Sequence, residues 1–260
     1  MLTFRPVSDA AAAKIKAAAG VRVGAPAKAV AAAAPIVAAV TKPGVERWPV
    51  KTGTDLDVSA VGTEVVKTTV EEMVSIPRPP DMQPATNDFP DFQEHRSSPV
   101  EDTVWQLDAT IIALKQEADG DYHLVLQGAS GETMIGEIPT PRPPFVQATS
   151  PFLANIVAAR KAVDNKLVKK LKPAAFVPMR GKLVPREAIH GPLPAAAAAA
   201  PAPASFVTPE ESAAAAFKTQ VKPTRVRITG VGFFDRVHGQ MGVSQLNGIE
   251  LHPVLQIEWL

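Results

Sequence analysis

Three runs of alternating apolar and polar residues, separated by tight turns, constrain the fold of this chain more than any other feature. Residues 103–116, 122–127 and 132–138 each have the length and pattern of a β-strand. The first turn contains Asp119-Gly120, a pair that suits positive φ, and the second turn is GASG at 128–131. The pattern therefore predicts three consecutive antiparallel strands.

A helix is predicted after the third strand. Ser150 is a good N-cap and Pro151 suits the first helical position. Apolar residues then recur at helical spacing and predict one buried stripe: Phe152, Ile156, Val163, Leu167 and Leu171.

Two further strands are predicted at 224–235 and 248–259, and Gly230 and Gly232 permit a bulge or a sharp curl in the first of them. The order β-β-β-α-β-β predicts a mainly β fold, a five-stranded OB-type barrel. This barrel domain spans 100–260, and a flexible Ala/Pro-rich insert at 172–223 interrupts it before the fourth strand.

The N-terminal third has a different composition. Residues 1–44 are rich in alanine and poor in aromatic residues, and we expect a disordered or leader segment there. AVAAAAPIVAAV at 29–40 is a weak signal-peptide pattern, which leaves a cytoplasmic and an exported location both open. Residues 45–99 are predicted to form an N-terminal arm, with a short helix at 64–76 and a proline-rich extended part.

Composition excludes several classes of function. The chain has no cysteine, so a disulfide framework, a thiolate metal site and a cysteine nucleophile are excluded. No apolar run approaches the roughly 20 residues of a membrane span. The net charge of +1 does not support nucleic acid as a partner. The charge is unevenly distributed, since residues 81–137 carry 12 acidic and 2 basic residues.

Candidate site residues concentrate near the C-terminus. Glu250 and His252 lie two apart on a predicted strand and therefore point to one face. With Asp235 and His238 they form a set that can bind a divalent metal or pair a base with a carboxylate, and His238, Glu250 and His252 are the candidate metal ligands. The alternative is a loop held by polar hydrogen bonds.

Four other residues are candidates for ligand binding. His123 and Glu137 lie on the second and third strands, and alternation with Leu124 directs His123 to the barrel exterior, where OB-type ligand surfaces lie. Asn247 can assist the C-terminal set, and Phe233 is a candidate stacking surface for a base or sugar.

Several blocks resemble a family of uncharacterised bacterial proteins, often predicted to be exported. The blocks are WPVKTGTD (48–55), DGDYHLVL (119–126), TMIGEIP (133–139), ITGVGFFD (228–235), HGQ (238–240) and NGIELHPVL (247–255). This resemblance implies no catalytic residue. Residues 109–126 and 137–141 also have a faint similarity to the OB barrel of staphylococcal-type nucleases, but no arginine lies between Arg96 and Arg142, so their active site is not reproduced.

Two functions remain open. The first is an OB-type binding or interaction module of unknown ligand, which is favoured because barrels of this type mostly bind and no complete catalytic set is visible. The alternative is a metal-dependent hydrolase, acting on phosphodiesters as a phosphodiesterase or nuclease does, that uses the cluster at 235–252. Whether the chain is an enzyme and whether it needs a divalent metal are left open.

Overall fold

The computed structural model describes residues 1–21, 46–82, 90–117, 119–170, 218–237 and 240–260. The strands are β1 (Arg5–Pro6), β2 (Glu64–Thr68), β3 (Val104–Gln116), β4 (Tyr122–Gln127), β5 (Thr133–Ile138), β6 (Lys218–Phe234) and β7 (Ile249–Trp259). The α-helices are α1 (Asp9–Ala18), α2 (Trp48–Thr52), α3 (Val70–Val74) and α4 (Leu153–Lys166). Short 3₁₀ turns lie at Val58–Ala60, Pro80–Met82, Pro90–Phe92 and Val168–Lys170.

Five strands close into the predicted OB-type barrel. β4 pairs antiparallel with β3 and with β5, β5 pairs parallel with β7, and β6 pairs antiparallel with β7 and β3. The β3–β6 pairing closes the sheet, and both strands are long, at 13 and 17 residues. A long strand that curls can pair with one neighbour along each of its ends, which is how a barrel of few strands closes.

Glycines in β6 permit that curl, as predicted. The register with β7 shifts between Thr229 and Gly230 and again between Gly230 and Gly232. A Cβ atom on Gly232 would lie 2.5 Å from the carbonyl oxygen of Val100 and 2.8 Å from Nε1 of Trp105. Glycine is therefore required here by close packing, since the backbone itself is not in the left-handed region.

Helix α4 packs against the barrel through the predicted stripe. Phe152, Ile156, Val163 and Leu167 are all buried, and Leu171 lies outside the described residues. The helix begins at Leu153, slightly later than predicted. Ser150 is not the N-cap, because Phe152 holds that position without a side-chain cap bond; its Oγ instead accepts from the Phe152 N–H at 3.2 Å and donates to the carbonyl of Thr52 at 2.6 Å.

The N-terminal segment departs from expectation. Residues 1–21 were expected to be disordered or a leader, but β1 pairs parallel with β2 and α1 packs through Ile15 on the core. Ser8 caps α1, and alanine has the highest helix propensity, so the alanine-rich composition that suggested disorder favours this helix instead. Residues 22–44 of the expected leader, of which the signal-like run at 29–40 is a part, lie outside the described residues.

Two boundaries also need correction. Residues 64–76 form strand β2 followed by the short helix α3, because Val65 and Val66 are β-branched and pair with β3, while Thr69 caps α3. The expected insert at 172–223 ends earlier, since β6 begins at Lys218 and pairs with β3 from its start. The rest of that insert lies outside the described residues.

Buried charge links the start of the arm to its end and to the first residues of the barrel domain. Arg96 donates to both carboxylate oxygens of Asp55 at 2.9 and 2.6 Å, and neither side chain is exposed. The same guanidinium donates to the carbonyls of Val50 and Glu101, so its donors are well satisfied. These contacts hold α2 against the outside of the barrel. Among the described helices, none has the length and apolar character needed to cross a membrane.

Candidate functional site

Strand register brings five of the predicted residues into one row across the barrel. His123 on β4 lies directly opposite Glu137 on β5. Gly136 pairs with Leu251 on β7, so Glu137 lies beside His252. Phe233 on β6 pairs with Glu250 and extends the row. We call the titratable side chains of this region the polar centre: Lys51, Glu117, Asp121, His123, Glu137, Asp235, Glu250 and His252.

The row lies on the outer face of the sheet. Leu124 and Leu126 belong to the core cluster inside the barrel, so His123 points outward, as its alternation predicted. The side chain is nevertheless only 1% exposed, because the segment after β6 covers it and the Met241 carbonyl lies 2.8 Å from its Nε2. Sequence analysis did not predict this cover.

Glu137 is shared by two histidines. Its Oε1 lies 2.9 Å from Nδ1 of His123, and its Oε2 lies 3.2 Å from Nδ1 of His252. Burial disfavours the charged carboxylate, but hydrogen bonds from the two histidines outweigh it and hold the pKa of Glu137 well below its usual value. Burial acts to lower the pKa of His123. Glu137 and the Met241 carbonyl together raise this pKa by a larger amount, so the net shift is upward. His123 and Glu137 therefore form a charged pair.

Glu250 and His252 behave differently. Burial, followed by the charges of Asp235 and Glu137, raises the pKa of Glu250 well above its usual value. Burial lowers the pKa of His252 even though Glu137 opposes this. Nδ1 of His252 faces Glu137 and also Glu250, whose Oε1 is 3.1 Å away. In its neutral form, His252 therefore donates from Nδ1 and keeps a lone pair on Nε2. Within the described part of the chain, that fully buried Nε2 has no hydrogen-bond partner.

Lys51 completes the centre from the arm. Its Nζ lies 3.5 Å from Oδ1 of Asp235 and 5.3 Å from the centroid of the Phe233 ring. Burial lowers the pKa of Lys51, but the surrounding carboxylates, Asp235 first and then Glu137 and Glu250, raise it above its usual value. Lys51 lies in the WPVKTGTD block, and its place in the centre was not predicted from the sequence. The signal that could have indicated this place is the single charged side chain of Lys51 between Val50 and Thr52.

Two acidic residues of the loop between β3 and β4 were also missed. Asp121 is 2% exposed, and its Oδ1 accepts from the Thr140 N–H at 2.8 Å. Burial, followed by the charges of Asp119 and Glu137, raises the pKa of Asp121 well above its usual value. Glu117 lies 3.6 Å from Nδ1 of His123. Asp121 directly follows the Asp119-Gly120 turn. The turn alone accounted for this aspartate in the sequence, so its orientation toward β5 was not predicted.

Donor atoms for a metal ion meet in two overlapping sets. Asp121, Glu137 and His252 each offer one atom, and these atoms lie within 4.8 Å of one another. Glu117, His123 and Glu137 form a second such set. Neither is the predicted ligand set of His238, Glu250 and His252, of which His238 lies outside the described residues.

Two predicted ligand-binding residues are committed to the fold. Asn247 accepts from the Ser244 hydroxyl and the Ile249 N–H and donates to the carbonyls of Met73 and Ile76, which uses both its donors and both its acceptor sites. Phe233 is fully buried, with Arg47 4.5 Å from its centroid, so its ring is not open to a base or sugar. It packs 5.5 Å from the His252 ring and forms a wall of the centre.

Comparisons add no relative. No family model, curated protein or solved structure matches this chain. The two resemblances drawn from its motifs therefore stay predictions.

Proposed function

We propose that this protein is a binding module that takes a small cationic ligand at the polar centre of its barrel. The observation that carries this proposal is His252, whose buried Nε2 has no hydrogen-bond partner among the described residues. A buried polar atom without a partner costs about 1–3 kcal/mol. A ligand that donates to this nitrogen, or coordinates it, would offset that cost.

The position of the centre agrees with how OB-type barrels bind. Their ligand surface is formed by the second and third barrel strands and by the loops that join strand one to two and strand four to five. Here His123 and Glu137 lie on those strands. Asp121 lies in the first of those loops and Asp235 at the start of the second.

Charge favours a cation over a phosphate. In the centre, the carboxylates of Glu117, Glu137 and Asp235 outnumber the two cations, Lys51 and His123, while raised pKa values favour the neutral forms of Asp121 and Glu250. A cleft lined by carboxylates attracts cations and repels polyanions. Exposure sets the size of the ligand, since the side chains of Lys51 and Glu137 are only 15% and 12% exposed. A small ion or amine fits such a rim better than an oligonucleotide.

A metal-dependent hydrolase is the second candidate function. The donor atoms of Asp121, Glu137 and His252 favour it, because catalytic metal sites keep three protein ligands and leave a position for water. Hydrolysis of bis(p-nitrophenyl) phosphate with Zn²⁺ or Mn²⁺ present tests this candidate. Equal rates for the wild type and Glu137→Gln would remove it.

The binding proposal is tested by thermal shift and calorimetry on the full chain. The probes are spermidine, Mg²⁺, Zn²⁺ and a short oligothymidylate. We expect a cationic probe to raise the melting temperature by mass action, and His252→Ala to abolish the shift. Gln256→Ala is the matched control, because Gln256 lies on the same strand outside the polar centre and its side chain donates to Glu258 at 2.8 Å. No cationic probe binding, or equal binding by His252→Ala, would overturn the proposal.

A further inference from the structure

The overlap of donor atoms around Glu137 identifies one class of cation. We infer that Asp121, Glu137 and His252 together bind one divalent transition-metal ion of the zinc type. This inference rests on the proposed function, because the ion would be the cation of the polar centre. The three side chains come from the loop before β4, from β5 and from β7, and their donor atoms lie within 4.8 Å of one another. Ligand atoms about 2 Å from a shared ion meet that spacing.

The neighbours of His252 match those of a metal-bound histidine. A ligating imidazole usually donates its second ring N–H to a carboxylate, which fixes the ring and its tautomer. Nδ1 of His252 lies 3.1 Å from Glu250 Oε1 and 3.2 Å from Glu137 Oε2, whereas Nε2 is buried without a hydrogen-bond partner among the described residues. For an ion to bind at Nε2, Glu137 must turn from Nδ1 toward that nitrogen while Glu250 keeps the Nδ1 bond. The ring is thus oriented by a carboxylate and retains a nitrogen lone pair for an ion.

Asp121 is held in a comparable way. The Thr140 N–H donates to its Oδ1 at 2.8 Å, which orients the carboxylate. The side chain is buried, unlike the exposed acidic clusters that are common on protein surfaces. A buried carboxylate is normally paired or coordinates a metal.

The competing set is less suitable. Both ring nitrogens of His123 are already in contact, Nδ1 with Glu137 and Nε2 with the Met241 carbonyl. A carbonyl partner requires a proton on Nε2, so that nitrogen has no lone pair to give. Glu117 also pairs with Lys115 at 2.7 Å and is partly exposed. The set around His252 is therefore the one with a free donor.

The ligand types select the metal. Mg²⁺ and Ca²⁺ prefer oxygen ligands only, whereas an imidazole nitrogen suits Zn²⁺, Co²⁺ and other transition ions. Three protein ligands also leave a coordination position for water or a substrate.

The test uses the tag-free full chain after EDTA treatment and dialysis. Titration with Zn²⁺ by calorimetry is expected to give one ion per chain, and Co²⁺ is expected to give a visible spectrum that indicates nitrogen ligation. Asp121→Asn and His252→Ala should each weaken Zn²⁺ binding by at least about 10–100-fold, the loss typical even for residues that only orient a ligand. Glu258→Gln is the matched control, because Glu258 lies on β7 outside the polar centre, and it should bind as the wild type does.

The outcomes separate the two proposals. Wild-type affinity in Asp121→Asn, or an equal loss in Glu258→Gln, would overturn the metal site. Asp121→Asn is nearly isosteric, so it keeps the test valid where His252→Ala fails to fold. A chain that binds spermidine through His252 but no transition metal would refute this inference and leave the binding module standing. A chain that binds neither would refute both.

Discussion

Arg47 and Glu101 form a fully buried, two-pronged ion pair that joins the arm to the barrel. Nη1 and Nη2 of Arg47 lie 2.8 and 2.7 Å from the two carboxylate oxygens of Glu101, and both side chains are almost completely inaccessible. Glu101 also accepts from the backbone N–H groups of Phe234 and Ser97. Because Arg47 immediately precedes α2, this pair fixes the helix that carries Lys51 over the polar centre.

Glu101→Gln should destabilise the protein by about 3–5 kcal/mol, the usual cost of removing one partner of a buried pair. The substitution leaves the Arg47 charge buried without its counter-ion, while the size of the side chain hardly changes. Urea denaturation followed by tryptophan fluorescence measures the loss.

Asp108→Asn is the control for that prediction. Asp108 pairs with Arg227 at 2.8 Å, but both side chains are more than 40% exposed. Exposed pairs contribute little, so the denaturation midpoint should not change measurably. Equal effects of the two substitutions would show that burial of the Arg47–Glu101 pair is unimportant.

Gly232→Ala should cost about 1–3 kcal/mol through overpacking. The added methyl group would lie 2.5 Å from the Val100 carbonyl oxygen and would press on the Trp105 indole, whose Nε1 donates to that same oxygen. Gly62→Ala is the matched control, since the nearest atom to a Cβ there is 3.8 Å away. The melting temperatures of the two variants measure the difference. An unchanged melting temperature in Gly232→Ala would mean that the barrel accommodates a Cβ atom at this position of β6.

The barrel was predictable because its signals are local. Asp119-Gly120 and the GASG turn separate strands whose alternation is uninterrupted, and the observed bounds of β4 are those predicted. The N-terminal segment was not predictable in the same way. Its alanine-rich composition is shared by disordered segments and by surface helices, and only the contact of Ile15 with the core decides between them.

The site was predictable in part for a related reason. Strand alternation placed Glu250 and His252 on one face, and it directed His123 outward. The positions of Lys51 and Asp121 depend on how the arm and the loop before β4 fold over the sheet, and no sequence period encodes that. The four hydrogen bonds of the Asn247 amide were not predictable either, because an amide that satisfies backbone and hydroxyl groups has the same sequence context as one that binds a ligand.

The pKa of Tyr122 should be about 12, compared with the usual 10.0. Burial is the main cause, and the hydrogen bond to Asp164 at 2.7 Å adds to it. Because the folded chain keeps a proton that the unfolded chain loses, stability should fall as the pH rises from about 10 to 12. Tyr122 is the single tyrosine, so its ultraviolet absorbance reports the titration without overlap from another phenol.

Asp164→Asn provides the check on that titration. Removal of the negative charge beside the phenol should lower the pKa of Tyr122, while its burial against Arg160, 3.7 Å from the ring centroid, is retained. An unchanged midpoint in Asp164→Asn would mean that burial alone sets the shift.

Glu137 and Glu250 should respond in opposite ways to the same substitution. Glu137 has a lowered pKa despite its burial, because both histidines donate to its charged form, so its contribution to stability is present above pH 4.5 and is lost as the pH falls below that value. Glu137→Gln should therefore cost about 1.5–3 kcal/mol at pH 7, the range for hydrogen bonds to a charged group.

Burial raises the pKa of Glu250, so a neutral side chain suits its site and the native carboxyl loses stability as the pH rises above 4.5. Glu250→Gln should leave the metal-free protein at least as stable as the wild type at pH 7, since glutamine resembles the protonated acid and still reaches His252. Urea denaturation of both variants in EDTA, at pH 7 and pH 5, measures the contrast. The difference between Glu250→Gln and the wild type should shrink at pH 5, where the native Glu250 is more fully protonated relative to the unfolded chain. Similar losses for the two variants at pH 7 would show that the two carboxyl groups are not held in different protonation states.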